Sequence, residues 1–285
     1  MPLLLLVSLI WAFSFGMIKG ALTGLPSAAT ALIRLAVALA IFAPFLRLRA
    51  LRTADALRLI STGAVQYGLM YVAYMHAFNY LKAYEVALFT VFTPIFVTVI
   101  NDCFERRFHL SALTAVILAV IGGVIIEYRH LSSPDLWRGF LLMQGANLCF
   151  AFGQIFYRHT MSRLPESRTD LQGFALLYLG AALTAALAAA GTPWSSLVIT
   201  AKQALILLYL GAVASGLCFF LWNIGARRTG SATLAVFNNL KIPLGILVAV
   251  FFFGEETDWM RLLSGGMLMV AALFVNRAGI RSGRS

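Results

Sequence analysis

Long apolar runs separated by short polar connections repeat along the whole chain. A helix needs about 20 mainly apolar residues to cross a bilayer, and ten stretches of this kind are present. They cover residues 2–22, 27–46, 57–80, 84–100, 110–126, 139–157, 171–190, 203–224, 231–253 and 259–275. The pattern predicts an all-α integral membrane protein with ten transmembrane helices.

Composition supports the same class. The 285 residues are 61% hydrophobic and only 12% charged, whereas a soluble domain is nearer half apolar and a quarter charged. The net charge of +11 lies between the apolar runs, so we assign it to membrane orientation and expect no nucleic-acid partner. The three cysteines have no paired spacing, and we expect neither a bound metal nor a cofactor.

The distribution of lysine and arginine predicts the orientation. If the N-terminus is cytoplasmic, the inside segments hold fourteen of the 22 basic residues and the outside segments hold six. The remaining two, Arg34 and Lys241, lie within apolar runs. Because cytoplasmic loops carry the excess of positive charge, both termini are predicted to be cytoplasmic.

An internal repeat divides the chain. Ala83 precedes Pro94 by eleven residues in the fourth run, and Ala232 precedes Pro243 by eleven residues in the ninth. Five spans per half is an odd number, so the second half enters the membrane upside down relative to the first. The predicted domains are a five-helix repeat at 1–130 and an inverted five-helix repeat at 131–285.

Short motifs in several runs point to a known group. They are Trp11-Ala-Phe-Ser-Phe15, Ile33-Arg34-Leu35, Tyr80-Leu-Lys-Ala-Tyr-Glu-Val-Ala-Leu with Thr93-Pro94, and Phe237-Asn-Asn-Leu-Lys-Ile-Pro243. In their order and spacing the chain resembles the drug/metabolite transporter superfamily, in particular its EamA-type carriers of the bacterial inner membrane. The last motif is similar to the subgroup named for carboxylates, amino acids and amines. The resemblance implies secondary active transport of small organic metabolites by alternating access.

Lys241 is the most informative single position. A lysine at the centre of a membrane helix costs roughly 2.5–3.5 kcal/mol on insertion scales, so its ammonium needs a partner, water or an anionic ligand. Asn238 lies three residues earlier on the same helix face, and two donors there suit a carboxylate or phosphate. The alternative is a static ion pair with Glu85.

Further side chains are candidates for the cavity wall. Gln144, Asn147 and Gln154 share one face of the sixth run, where cross-helix hydrogen bonding is the alternative role. We expect the apolar part of a substrate to pack on Trp11, Phe15, Tyr71 and Tyr74, although tyrosines near span ends also form interface belts. Trp222 is assigned to such a belt.

Three residues are candidates for ion coupling or gating. We expect burial to favour the protonated form of Glu85, and His76 is a candidate because histidine is the side chain most often used as a proton relay. Arg34 either extends to the lipid headgroups or pairs with Glu85. Coupling to protons and coupling to sodium both stay open.

The two prolines are predicted to interrupt their helices. Pro94 and Pro243 each lack the N–H that would bond the carbonyl four residues earlier, at Thr90 and Asn239 respectively. Such a carbonyl can face a ligand, or the proline can simply kink the helix.

Transport is favoured over two other functions. An intramembrane enzyme or lipid-handling protein would need paired catalytic groups, and no HExxH, GxSxG or P-loop motif is present. A channel typically uses rings of polar groups, whereas this chain has a single central lysine. The expected partners are the lipid bilayer and a small substrate bearing an anionic group.

Overall fold

The structure is a computed structural model that describes residues 2–22, 24–48, 51–108, 110–127, 134–164, 170–253 and 258–282. Side chains at 13–21, 83, 84, 111, 127, 249, 252, 253, 273 and 276–282 lie outside this description. Within the described ranges every regular element is a helix. The α-helices are α1 (Pro2–Ala21), α2 (Ser27–Phe42), α3 (Thr53–Gly63), α4 (Met70–Ala77), α5 (Ala83–Thr90), α6 (Thr93–Glu105), α7 (Leu110–Glu127), α8 (Leu136–Met161), α9 (Asp170–Ala188), α10 (Ala201–Tyr209), α11 (Cys218–Arg227), α12 (Ser231–Phe253) and α13 (Trp259–Ser282).

Six helical stretches of the described chain are long and apolar enough to cross a membrane. They are Ser27–Phe45, Glu85–Glu105, Leu136–Met161, Asp170–Ala188, Ala201–Arg227 and Ser231–Val248. Shorter apolar helices cover Pro2–Ala12, Ala112–Ile126 and Trp259–Ala272. The all-α, multi-pass class is confirmed, and the arrangement of ten spans as two inverted repeats stays a prediction.

Two of the predicted spans contain π-helical turns. α3 continues through the π-helical segment Ala64–Leu69 into α4, and α10 continues through Leu210–Leu217 into α11. The Tyr178 hydroxyl lies 2.8 Å from the carbonyl oxygen of Ser215 and 2.6 Å from that of Gly216. A side chain of α9 therefore satisfies carbonyls of the second π-helical segment, as a low-dielectric environment requires.

The fourth predicted span is broken into α5 and α6 at Val91 and Phe92. Pro94 has no N–H, so the carbonyl of Thr90 loses its helical donor. The Thr93 hydroxyl takes over this role and donates to the Thr90 carbonyl oxygen at 2.7 Å. The predicted interruption at this proline is therefore present, with a local side chain closing the gap.

Amide side chains of two neighbouring helices bond other carbonyls at the break. On α8, Asn147 Nδ2 donates to the Phe89 carbonyl oxygen at 2.7 Å. On α12, Asn239 Nδ2 donates to the Val91 carbonyl oxygen at 3.0 Å. Hydrocarbon offers no donors, so these cross-helix bonds are what makes irregular backbone tolerable at this depth.

The second proline behaves differently. α12 continues through Pro243 without interruption, so the predicted break there does not occur. Neighbouring helices can support a proline inside a membrane helix, and α12 packs against α1, α6 and α7. The equivalence of the two prolines seen in the sequence does not extend to their local structure.

Glycines allow the closest helix contacts in the bundle. A Cβ atom at Gly63 of α3 would overlap the backbone of Leu177 on α9, and one at Gly180 of α9 would overlap the carbonyl oxygen of Ile60 on α3. The two helices thus approach each other closely at two points, because each has a glycine that faces the backbone of the other helix. This contact joins the predicted first and second repeats and holds the bundle around its centre.

We expect Gly180→Ala to destabilise the fold by about 3 kcal/mol, because backbone cannot yield to the added methyl group. The matched control is Gly145→Ala on α8, where a Cβ would meet no atom within 4 Å. The control should be neutral or more stable by about 0.5–1 kcal/mol, the helix preference of alanine over glycine. Thermal unfolding of both purified variants in detergent measures the difference; equal behaviour would contradict the close approach.

We expect Thr93→Val to destabilise the fold by about 1–3 kcal/mol, because the buried Thr90 carbonyl would lose its donor. Thr114→Val is the control, since its hydroxyl is exposed and bonds only the carbonyl of Leu110 on its own helix, at 3.0 Å. The control should change stability by less than about 0.5 kcal/mol. Thermal unfolding and hydrogen exchange around the break provide the measurement, and a stable, fully protected Thr93→Val protein would argue against this role.

Candidate functional site

A cavity of about 110 Å³ lies where the broken fourth span, α8, α12 and the second π-helical segment converge. It is large enough to hold several water molecules. Its wall is formed by Trp11, Arg34, Met70, Tyr71, Tyr74, Thr90, Thr93, Met143, Ala146, Asn147, Phe150, Ala214, Phe219 and Lys241. The wall thus combines two cations, a few neutral polar groups and a large aromatic surface.

The cavity brings together many, though not all, of the candidate residues from the sequence. Those that line it are Trp11, Arg34, Tyr71, Tyr74, Asn147 and Lys241. Those that do not are Asn238, Gln144, Glu85, His76, Pro94 and Pro243. Phe15 lies on α1, but its side chain falls outside the described residues.

Lys241 projects from α12 into the cavity and remains partly exposed. In the described part of the chain its ammonium forms no hydrogen bond or ion pair. The static pair with Glu85 that the sequence left open is therefore not formed. A lysine in this position keeps its charge available to water or to a ligand.

Arg34 is a second cation on the cavity wall, and only 3% of its surface is exposed. Its Nη2 donates to the Tyr71 hydroxyl at 2.7 Å, and its Nε donates to the Ser215 hydroxyl at 3.3 Å. Neither predicted alternative holds, because the guanidinium neither extends to the headgroups nor contacts Glu85. Neutral hydroxyls position this charge without neutralising it.

The two coupling candidates lie away from the cavity wall. Glu85 is buried and accepts a hydrogen bond from the Lys82 backbone N–H at 2.8 Å, which caps the start of α5. His76 Nδ1 lies 2.8 Å from the Val72 carbonyl oxygen on its own helix. Both side chains thus have local structural contacts, and their roles in coupling stay predictions.

An aromatic surface forms one side of the cavity. The Trp11 ring lies 5.4 Å from the Phe219 ring and 6.3 Å from the Phe150 ring, measured between centroids. Trp11 Nε1 also donates to the Ala214 carbonyl oxygen at 2.9 Å, which fixes the indole against the second π-helical segment. The surface is therefore rigid and suited to the flat face of a ring.

A buried layer of amides adjoins this surface. Gln154 Oε1 accepts from Trp222 Nε1 at 2.9 Å and from Asn238 Nδ2 at 3.3 Å. The assignment of Trp222 to the interface belt is wrong, since only 1% of its surface is exposed and its N–H bonds within the protein. Asn238 likewise points at Gln154 and its own helix, so it does not join Lys241 at one ligand.

A reciprocal amide pair closes the same layer. Gln66 Nε2 donates to Asn223 Oδ1 at 2.9 Å, and Asn223 Nδ2 donates to Gln66 Oε1 at 3.2 Å. Both side chains are fully buried, and they connect the first π-helical segment with α11. The pair links the predicted halves directly.

Several wall residues were not predicted, namely Met70, Thr90, Thr93, Met143, Ala146, Phe150, Ala214 and Phe219. Most are apolar or small, and such residues do not stand out within an apolar run. Thr90 and Thr93 carried a usable signal, because hydroxyls beside a membrane proline commonly serve its unbonded carbonyl.

Comparison with known proteins places the chain in a family. The EamA-like transporter family matches residues 1–128 and 137–277. The biotin transporter of Salmonella typhimurium is 38% identical, over 97% of this chain and 93% of its own. The probable biotin transporter of Pseudomonas aeruginosa is 38% identical over 100% of both chains.

A more distant relative and a solved structure complete the comparison. A probable amino-acid metabolite efflux pump of Salmonella typhimurium is 27% identical over 64% of this chain and 62% of its own. A solved crystal structure shares the fold with a TM-score of 0.77 at 17% identity, over 96% of this chain and 95% of the other. The chain therefore belongs to the EamA-like transporter family, within the drug/metabolite transporter superfamily, and is a multi-pass membrane transporter rather than an enzyme.

Proposed function

We propose that this protein is a secondary transporter that carries biotin across the bacterial inner membrane by alternating access. The observation that carries the proposal is the unpaired ammonium of Lys241 on a cavity wall that also presents a large aromatic surface. The 38% identity to proteins named as biotin transporters supports the substrate. Biotin combines a carboxylate on a flexible chain with a compact, fused ring system, and both parts find matching groups in the cavity.

The substrate carboxylate binds at Lys241 in this proposal. An ammonium offers three donors, and a charge-assisted bond to a carboxylate is about twice as strong as a neutral one. Thr93 and Asn147, which also line the cavity, supply neutral polar groups beside it. Within the described wall there is no carboxylate, so an anionic substrate meets no like charge.

The same charges argue against a zwitterionic amino acid as the principal substrate. Its ammonium group would face Arg34 and Lys241 without an acidic partner among the described wall residues. A monocarboxylate with an uncharged ring avoids this repulsion. The likeness to an amino-acid metabolite efflux pump is also the weaker of the two, at 27% identity over 64% of the chain.

Packing supports two related halves that move against each other. α1 packs against α12 as α8 packs against α6, and α2 packs against the second π-helical segment as α9 packs against the first. In each case the second contact is the one expected if every helix of the first contact is replaced by its equivalent in the other predicted repeat. Transporters of this design bind substrate between their halves and open it to alternate sides.

The amide layer then serves as the closed side of the cavity. Gln154, Trp222 and Asn238 lie towards the ends of α8 and α11 and the start of α12. With both termini cytoplasmic, these helix ends face the cytoplasm. We propose that this layer closes the cytoplasmic side of the cavity and that the Gln66–Asn223 pair breaks when substrate is released there. Coupling to protons or sodium through Glu85 or His76 is a further part of the proposal.

We expect Lys241→Met to weaken biotin binding roughly 10- to 100-fold, the range for losing one hydrogen bond to a charged group. Lys202→Met is the matched control, because Lys202 is exposed at the start of α10 and should leave affinity unchanged. Binding of radiolabelled biotin to purified protein gives the affinities, and saturable uptake by proteoliposomes tests transport.

Two results would count against this function. Wild-type protein that neither binds nor transports biotin would exclude biotin as the substrate. Normal affinity in a folded Lys241→Met variant would show that the lysine does not contact the carboxylate.

A further inference from the structure

The cavity contains a second cation whose donors are only partly used. Arg34 is 97% buried, lines the cavity, and its Nη1 has no hydrogen-bond partner in the described structure. A buried guanidinium nitrogen without a partner is costly, because each donor lost water on burial. We take this cost as an indication that a ligand supplies the missing hydrogen-bond acceptor for Arg34 Nη1.

The rest of the guanidinium is fixed in place. Nη2 and Nε are bonded to Tyr71 and Ser215, and these two hydroxyls lie 3.1 Å from each other. The Arg34 Cζ atom also lies 4.7 Å from the centroid of the Tyr71 ring, within the range of a cation–π contact. Nη1 is the guanidinium nitrogen without any bond, and its direction is set by the two bonded nitrogens because the group is planar.

Arg34 and Lys241 belong to different helix groups around the cavity. α2 packs against α9, α4 and the second π-helical segment, whereas α12 packs against α1, α6 and α7. Trp11 lies on α1, which contacts both α12 and α11. The cavity wall thus carries two cationic groups that come from different groups of helices, together with the aromatic surface.

We propose that Arg34 Nη1 is a specificity-determining contact that binds an uncharged carbonyl oxygen on the ring end of the substrate. This inference rests on the proposed function, in which Lys241 binds the carboxylate. A carboxylate prefers a two-nitrogen fork of an arginine, and the fork formed by Nε and Nη2 is occupied by Tyr71 and Ser215. Nη1 has no bond, and the substrate carboxylate is already assigned to Lys241, so the group assigned to Nη1 is a neutral oxygen acceptor.

The substrate class follows from the two cationic groups, Lys241 and Arg34. It is a monocarboxylate whose far end carries a cyclic urea, lactam or amide carbonyl, and biotin has a cyclic urea at that end. A plain fatty acid would leave Arg34 unbonded. An analogue with a cationic group in place of the carbonyl would be repelled by the same guanidinium.

The test compares three unlabelled competitors of radiolabelled biotin on purified full-length protein. They are biotin, 2-iminobiotin, which has a protonated imine in place of the ring carbonyl, and biotinol, which has an alcohol in place of the carboxylate. In the wild type both analogues should compete more weakly than biotin. In Arg34→Met the preference for biotin over 2-iminobiotin should fall roughly tenfold or more, while the preference over biotinol stays within about twofold.

The design separates the role of Arg34 from general damage. Ratios between competitors within one variant do not depend on the amount of folded protein. The control Arg58→Met removes a half-exposed arginine paired with Asp55 and should keep wild-type ratios. Ser215→Ala frees Nε while retaining the arginine, so it should reduce the preference for biotin over 2-iminobiotin by about threefold.

The outcomes are distinguishable. Wild-type protein that does not bind biotin would overturn the proposed function and this inference together. Binding of biotin with unchanged competitor ratios in both Arg34→Met and Ser215→Ala would overturn the inference alone. A loss of the preference for biotin over 2-iminobiotin, with the preference over biotinol unchanged, would support it.

Discussion

A polar group at the depth of the hydrocarbon must find its partner inside the protein, and this constraint organises the structure. At the break between α5 and α6, backbone carbonyls accept hydrogen bonds from the side chains of Thr93, Asn147 and Asn239. These bonds draw α8 and α12 onto the break and set the distance between them. The cavity lies at the same place, with Thr90, Thr93 and Asn147 on its wall.

The same constraint separates groups with structural roles from groups available to a ligand. Most buried polar side chains near the centre are bonded to one another, as in the Gln66–Asn223 pair. Two cations differ, since Lys241 has no partner among the described residues and Arg34 retains an unbonded nitrogen. Both face the cavity. A transporter has reason to leave such groups incomplete, because a fully satisfied site would give the substrate nothing to bind.

The sequence predicts how far along a membrane helix a polar residue lies. It does not predict which neighbouring helix the side chain of that residue faces. Charged and amide residues within apolar runs are conspicuous, so Lys241, Arg34 and Asn147 were recognised as candidates, and all three line the cavity. Asn238 was expected beside Lys241, yet it turns towards Gln154. Its placement depends on contacts between helices far apart in the chain, which spacing within one helix does not encode. The apolar residues of the cavity wall could not be predicted from the sequence for the same reason.

The proposed account depends on an ammonium that is held without an internal counter-charge and is completed by the substrate. A structure determined with biotin bound tests this most directly. The account predicts the biotin carboxylate within hydrogen-bond distance of Lys241 Nζ, with the ring system against Trp11. A carboxylate located elsewhere, with Lys241 bonded to a protein oxygen, would contradict it.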